Sequence, residues 1–404
     1  MTTFTALPRL SVHFWRYWAG LLCTALGDAV VYIALPFLVL IPAHPAGTAT
    51  AQVGLVVLAG SLPRFLAPLL GLLADRLPPR TLLMLAGGLR ALPALLAGLA
   101  ALRSGTLPLW SLMLLAGLNG LLATVSYTAG SAMLPRLVPP ALLPRANALV
   151  TGALQGGPLL GYGLGGALLA LVGGGSALLL AAGLTLGLTL GALGLPGQRP
   201  QRQATPEGLG ALFTAAFRLY VRSPLLLALL AFSFLLNLLL NVMNVRAPVH
   251  MAVAGRGAPD YAVFEVLISG GMLLGVALMA ALPGRLGLDR LIGGARWGVL
   301  AGLMGLLPDA VWSWWAGAAV FGLGLGVLEV AATTRIQGLV PDEVRGRVIG
   351  ALMGVNAVGL LLGAGLAALP LPTATLLLGL LAALVGLALS WPLAVRAQRD
   401  REEG

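Results

Sequence analysis

The sequence predicts an all-α polytopic membrane protein, with twelve transmembrane helices in two pseudo-symmetric six-helix bundles. Three observations carry this. Hydrophobic residues make up 59% of the 404-residue chain and charged residues only 9%, where soluble domains carry about 25% charge. So few charges could not solvate the surface of a soluble protein of this size. The apolar residues come in runs of about 20, the length a helix needs to cross the hydrocarbon core. The charges fall mainly in the short gaps between those runs.

Taken in order, the runs are roughly 15–41, 51–74, 81–102, 107–131, 147–171, 175–196, 224–250, 260–282, 290–308, 312–337, 347–369 and 373–395. The first lacks a small-residue cleavage site and is too long for a signal peptide, so it counts as a membrane helix. All 24 basic residues are arginine, and the net charge is +11. With the N-terminus inside, 17 of the 24 arginines fall on the cytoplasmic side, in gaps, tails or the inner ends of runs, while the outer gaps carry chiefly Arg103 and Arg256. That bias places both termini in the cytoplasm. The arginines set topology and touch anionic lipid, and they do not indicate a nucleic-acid partner. The single Cys23 excludes an internal disulfide and a cysteine-rich metal site.

The longest polar gap, about 197–223, divides the chain into residues 1–197, a linker at 198–223, and residues 224–404. The halves are weak repeats of each other. After the second run of each comes a Gly/Arg/Asp turn, GLLADRLPPR at 71–80 and GRLGLDR at 284–290. After the fourth comes a Pro-rich charged loop, LPRLVPPALLPRAN at 134–147 and LVPDEVRGRV at 339–348. Such repeats imply a site near the bilayer midplane, exposed alternately to each side as one half rocks against the other.

In the first of these turns, Gly71 admits close helix approach, Asp75 needs a helix N-terminus or an arginine as partner, and Arg76 and Arg80 mark the inner side. This order resembles the loop 2–3 signature of the major facilitator superfamily and implies a conformational-switch loop. The resemblance extends through FWRYWAGLLCTALGDAVVYIALPFLVL at 14–40, LPRFLAPLLGLLADRLPPR at 62–80, LVPPALLPRANAL at 137–149 and VPDEVRGRVIG at 340–350. It is strongest with the branch containing macrolide-efflux proteins and the enterobactin exporter.

Polar residues inside the spans each carry an insertion cost of about 2.5–3.5 kcal/mol. Asp28, near the middle of the first span, is a candidate proton carrier or a structural partner of Arg64 in the second. Arg90 in the third span is either a buried partner for Asp28 or an anion-binding residue. Glu265 and Glu329 are further proton-coupling candidates; Glu265 has Arg246 as an alternative partner, and Glu329 has Arg335 or Arg296. Asn237, Asn241 and Asn244 recur at i, i+4 and i+7 on one helical face, which either lines a cavity or bonds another helix. Tyr32 joins Arg64, Arg90 and these asparagines as a candidate cavity residue.

The fifth span, GALQGGPLLGYGLGG at 152–166, holds Gly157, Pro158, Gly161 and Gly165. Glycines four apart let backbones meet, and Pro158 bends the helix. The run resembles the glycine–proline signature of the family's antiporters, with Tyr162 where that pattern prefers glycine. The fourth span has Asn119 and Gly120 but lacks the buried arginine of the drug antiporters. Trp110, Trp312, Trp314 and Trp315 fall at outer ends, as interface anchors do. The three histidines form no metal-ligand cluster, and no glycine loop carries a lysine for ATP.

These residues imply a secondary active exporter, not an enzyme, that acts as a monomer in the plasma membrane. It needs no cofactor beyond the proton gradient, which it exchanges for an amphipathic or hydrophobic small molecule. The alternatives are uptake or facilitated transport of a nutrient, lipid or metal chelate, and a non-transporting scaffold or sensor.

Overall fold

A computed structural model describes residues 10–40, 46–66, 77–197, 217–218, 220–281, 287–340 and 342–403. Gly71, Asp75 and Arg76 of the expected switch loop lie outside the described residues, as does the side chain of Arg64. Helices follow wherever the sequence is apolar, because in hydrocarbon each backbone N–H and C=O must be paired within the segment. Among the described residues, nine helical stretches are long and apolar enough to cross a membrane.

The first half contains α1 (Val12–Leu40), α2 (Ala46–Ser61), α3 (Pro79–Ser104) and α4 (Leu109–Leu137), followed by a long stretch over Leu143–Leu193. That stretch breaks at Gly173, where φ is 79° and ψ 169°, a conformation glycine adopts without a Cβ clash. It therefore comprises two helices, α5 (143–172) and α6 (174–193), matching its 51-residue length, about twice that of one crossing. The second half contains α7 (Pro224–Val253), α8 (Ala258–Ala281), α9 (Leu288–Met304), α10 (Val311–Leu339), α11 (Asp342–Ala368) and α12 (Thr373–Glu403).

Contacts divide the chain into two compact units. One comprises Met1–Leu38 and Leu62–Gln203, the other Val39–Ser61 and Ala204–Gly404. The second unit thus takes in α2, which precedes the long polar gap by more than a hundred residues, because α2 packs along α7 and α11.

In the first unit, α3 lies along α6 and α4 along α3. Glycines set these approaches. A Cβ on Gly98 would lie 3.0 Å from the Gly175 carbonyl, and one on Gly20 of α1 would lie 2.7 Å from the Gly187 carbonyl. At one end of the unit, Phe14, Tyr17, Leu83, Met133, Leu188 and Leu195 close a buried apolar core.

In the second unit, α8 packs on α10, α9 on α10, and α7 on α11 and α12. Tyr220, ahead of α7, is fully buried and donates to the Val348 carbonyl at 3.0 Å. Burial pushes its phenol up to about 12.

Arg246, 6% exposed, closes the turn between α11 and α12. It donates from Nη1 to the Leu371 carbonyl and from Nη2 to the Leu369 carbonyl, both at 2.8 Å, with Thr373 Oγ1 at 3.5 Å. Both carbonyls lie in the connecting turn, between Ala368 at the end of α11 and Thr373 at the start of α12. Arg246→Met is therefore expected to cost roughly 1–3 kcal/mol, since it strands the Leu371 acceptor, whereas the Leu369 carbonyl keeps the Leu371 N–H at 2.8 Å. A lowered unfolding midpoint in detergent checks this, with Arg246→Lys falling between.

Candidate functional site

The ionisable centre of the first unit is assembled from three helices. Arg90 of α3 forms an ion pair from Nη2 to Oδ1 of Asp28 on α1. Its Nε donates to Asn119 Oδ1 on α4 at 3.0 Å. The exposures differ sharply: 1% for the Arg90 side chain and 32% for that of Asp28. The carboxylate therefore stands at the accessible edge and the guanidinium behind it. A guanidinium so deeply buried needs a compensating charge and acceptors for its N–H groups, and Asp28 and Asn119 supply them.

The glycines of α5 and α6 hold α1 in this register. A Cβ on Gly27 would lie 3.0 Å from the Ala181 carbonyl of α6. On α5, a Cβ on Gly157 would meet Ala25 at 2.7 Å and one on Gly161 would meet Ala29 at 2.6 Å, while Gly165 lies against Val30 and Ile33. The expected Gly/Pro helix, with Pro158 inside it, is thus the surface on which α1 packs to either side of Asp28. One turn beyond Asp28, the Tyr32 ring meets that of Tyr162, with centroids 5.4 Å apart and planes at 43°. The tyrosine that departs from the glycine pattern has a ring partner as its physical reason.

Arg80, the described member of the switch-loop residues, opens α3 and donates to the Leu193 carbonyl of α6 at 2.9 Å. The 62–66 turn carrying Arg64 packs on α4.

The second unit holds the remaining candidates. Asn241 is 2% exposed and donates to Ser61 Oγ of α2 at 3.0 Å and to the Leu360 carbonyl of α11 at 2.7 Å. Asn244 donates to Asn241 Oδ1 at 2.9 Å, and Asn237 to the Ser233 carbonyl at 2.9 Å. Asn241 is thus a tie between α7, α2 and α11, of the two roles its stripe allowed; Asn237 and Asn244 are half-buried beside it.

Glu265 is buried in α8, at 5% exposure, whereas Glu329 is exposed on α10. The cations considered for Glu329 have other partners. Arg335 pairs with Asp289 at 3.4 Å. Arg296 donates to the Ala388 and Ile292 carbonyls and lies 4.4 Å over the Trp391 ring. Among the described residues, no three His, Cys, Asp or Glu side chains gather as a metal site would need.

Two features escaped sequence reasoning. Trp314 is 2% exposed, stacked on His250 at 4.1 Å and donating to the Pro308 carbonyl; it is a core residue and not the interface anchor its place near a helix end suggested. On α4, Thr124, Tyr127 and Ser131 form a polar stripe, with Tyr127 64% exposed. The signal was available as i, i+3, i+7 spacing, the same test that singled out the asparagines of α7.

Known proteins resemble the chain in sequence and in fold. The chain is 29% identical over 359 residues to the enterobactin exporter EntS of Citrobacter koseri, covering 85% of this chain and 82% of that one. Solved structures share the fold at low identity. A variant of the nucleoside transporter NupG gives a TM-score of 0.72 at 14% identity, covering 96% of this chain and all of the other. A bacterial homologue of the iron transporter ferroportin, in an inward-facing state, gives 0.70 at 19%, covering 96% and 99%. These are membrane transporters, not enzymes. Residues 17–364 match the Major Facilitator Superfamily, and with the helix order and intramembrane polar groups already described, the chain is a member of that family.

Proposed function

We propose that this integral membrane transporter is a secondary active exporter of amphipathic or hydrophobic small molecules. It exchanges them for inward-moving protons by alternating access of two six-helix halves. It resides in the cytoplasmic membrane as a monomer, with both termini in the cytoplasm. The observation that carries the reading is the Asp28–Arg90–Asn119 centre. An ionisable pair inside a span is costly, and such residues mark ion or substrate pathways. The partly exposed member, Asp28, is the proton carrier; Glu329, an exposed carboxylate within α10, is the second candidate. Similarity to an exporter over most of the chain supports the outward direction.

The test is reconstitution into liposomes bearing a proton gradient, with fluorescent amphiphiles as cargo. Asp28→Asn is expected to abolish gradient-driven flux while leaving gradient-independent exchange. If Asp28→Asn and Glu329→Gln each leave coupled flux intact, neither carboxylate carries the proton.

A further inference from the structure

Separately from the transport reading, we propose that a cleft between α1 and α6 binds an anionic phospholipid, with its phosphate on Arg16. With both termini cytoplasmic, that lipid belongs to the inner leaflet. The cleft measures about 330 Å³, at the low end of the range for ligand pockets, about 300–1,000 Å³. Such a volume suits the upper part of one acyl chain and not a whole phospholipid.

The cleft exists because both helices present small residues where they meet. On α1, Arg16, Ala19 and Cys23 recur at i, i+3 and i+7, on one face. Opposite them stand Gly187 and Gly191 of α6, with Gly194 just past its end. A Cβ on Gly187 would lie 2.7 Å from Cβ of Cys23, and one on Gly191 would lie 2.5 Å from the Arg16 carbonyl. The floor is therefore largely main chain, with no long side chain to fill the space above it. Leu190 forms the outer rim at 66% exposure, in line with exposed Leu186 and Leu193 one turn to either side. In a membrane protein such an apolar stripe is a surface for lipid, so the cleft opens towards acyl chains.

Three cations meet the end of α6, and two of them are engaged by its carbonyls. Arg80 donates to the Leu193 carbonyl at 2.9 Å, and His13 donates from Nδ1 to the Gly194 carbonyl at 2.8 Å. These bonds also offset the negative pole of the helix end, which would otherwise repel a phosphate. Arg16 differs from both. It is exposed and, among the described residues, makes no ion pair or hydrogen bond. Its guanidinium nevertheless has a definite place: a Cβ on Gly194 would lie 2.6 Å from Nη1 and 3.0 Å from Cδ. It rests against that glycine at the head of the cleft, with paired donors left for two oxygens of one phosphate. Beside it in sequence, Trp15 is exposed, as aromatic residues are at headgroup level. Among the described residues, the lining includes no carboxylate. The ammonium of a zwitterionic lipid finds no partner there, so a net-negative headgroup is preferred. Basic pockets between membrane helices on the cytoplasmic side recognise anionic headgroups in this way.

Cys23, the single cysteine of the chain, lines the cleft two turns below Arg16 and serves as its reporter. The purified full chain in detergent is reacted with N-ethylmaleimide in the presence of dioleoyl phosphatidylglycerol or dioleoyl phosphatidylcholine. At a lipid excess of about ten times Kd, phosphatidylglycerol is expected to slow labelling about tenfold, since only the empty fraction reacts. It should also raise the unfolding midpoint above its value in phosphatidylcholine, which should leave the labelling rate nearly unchanged. Arg16→Gln is expected to keep the wild-type labelling rate in phosphatidylcholine and to lose the protection by phosphatidylglycerol. Ala19→Leu, which fills the cleft and keeps Arg16, is expected to lose the rise in unfolding midpoint. No protection, equal protection by the two lipids, or protection that survives Arg16→Gln overturns the proposal. A midpoint rise that survives Ala19→Leu overturns it as well, and decides alone should Arg16→Gln fail to fold. None of these readouts uses flux, so their failure leaves the exporter reading standing, and a lack of transport leaves the lipid site standing.

Discussion

Arg90→Leu is expected to destabilise the protein by about 1–3 kcal/mol, short of the range for breaking a fully buried pair because the Asp28 side chain left behind is 32% exposed, and to eliminate gradient-driven transport. The loss has two parts. Leucine cannot neutralise Asp28, so the pair's shared compensation is gone and a carboxylate remains within an apolar helix. Asn119 Oδ1 also loses its 3.0 Å donor. The double variant Asp28→Asn/Arg90→Leu removes the charge together with its partner. Apolar or neutral replacement of a whole buried pair is often neutral or better for stability. The double variant should therefore recover most of the unfolding midpoint in detergent while remaining inactive in coupled flux. That split separates a structural brace, for which restored stability would restore transport, from a working site, for which it would not. A single-variant loss below about 1 kcal/mol, the level of an exposed pair, would contradict the buried pairing.

Much of the helix plan was legible in the sequence because membrane spans are written in composition and length, which need no tertiary information. The break between the fifth and sixth helices was readable for the same reason: an apolar stretch far longer than one crossing must turn back, and Gly173 takes the φ of 79° that the turn requires. Residue types also narrowed the partner of Asp28, since only Arg64 and Arg90 lay in neighbouring spans. What the sequence left open was orientation around each helix axis. Spacing placed three asparagines on one face of α7 and left two roles for it; that Asn241 bonds Ser61 and Leu360 depends on α2 lying beside α7 and α11, which a boundary drawn at the long polar gap does not suggest. Trp314 was misread for a similar reason. Its place near the start of α10 resembles that of an interface anchor, but its ring turns inward onto His250.

Gly326→Leu is expected to cost more than about 3 kcal/mol, the upper end of ordinary overpacking, because the obstruction is backbone. On α8, Gly271 and Gly275 are four residues apart; on α10, so are Gly322 and Gly326. A Cβ on Gly271 would lie 2.6 Å from the Ala319 carbonyl, and one on Gly322 or Gly326 would overlap the carbonyls of Ile268 and Met272. In a bilayer there is little hydrophobic force to draw helices together, so close backbone contact at small residues supplies much of the attraction. A leucine here cannot be absorbed by turning a side chain aside; the two helix axes must separate, and the neighbouring glycine contacts weaken together. Gly326→Ala should show the same loss in smaller measure. Gly270→Ala is the control, since a Cβ at Gly270 meets nothing within 4 Å and alanine favours the helix by about 1 kcal/mol. Unfolding midpoints in detergent should therefore fall in the order Gly270→Ala, wild type, Gly326→Ala, Gly326→Leu. Because Glu329 follows Gly326 by one turn, the same displacement moves the second candidate carboxylate. A Gly326→Ala protein that keeps its fold but loses flux would implicate the position of Glu329, whereas flux that tracks the folded fraction alone would leave the chemistry to Asp28.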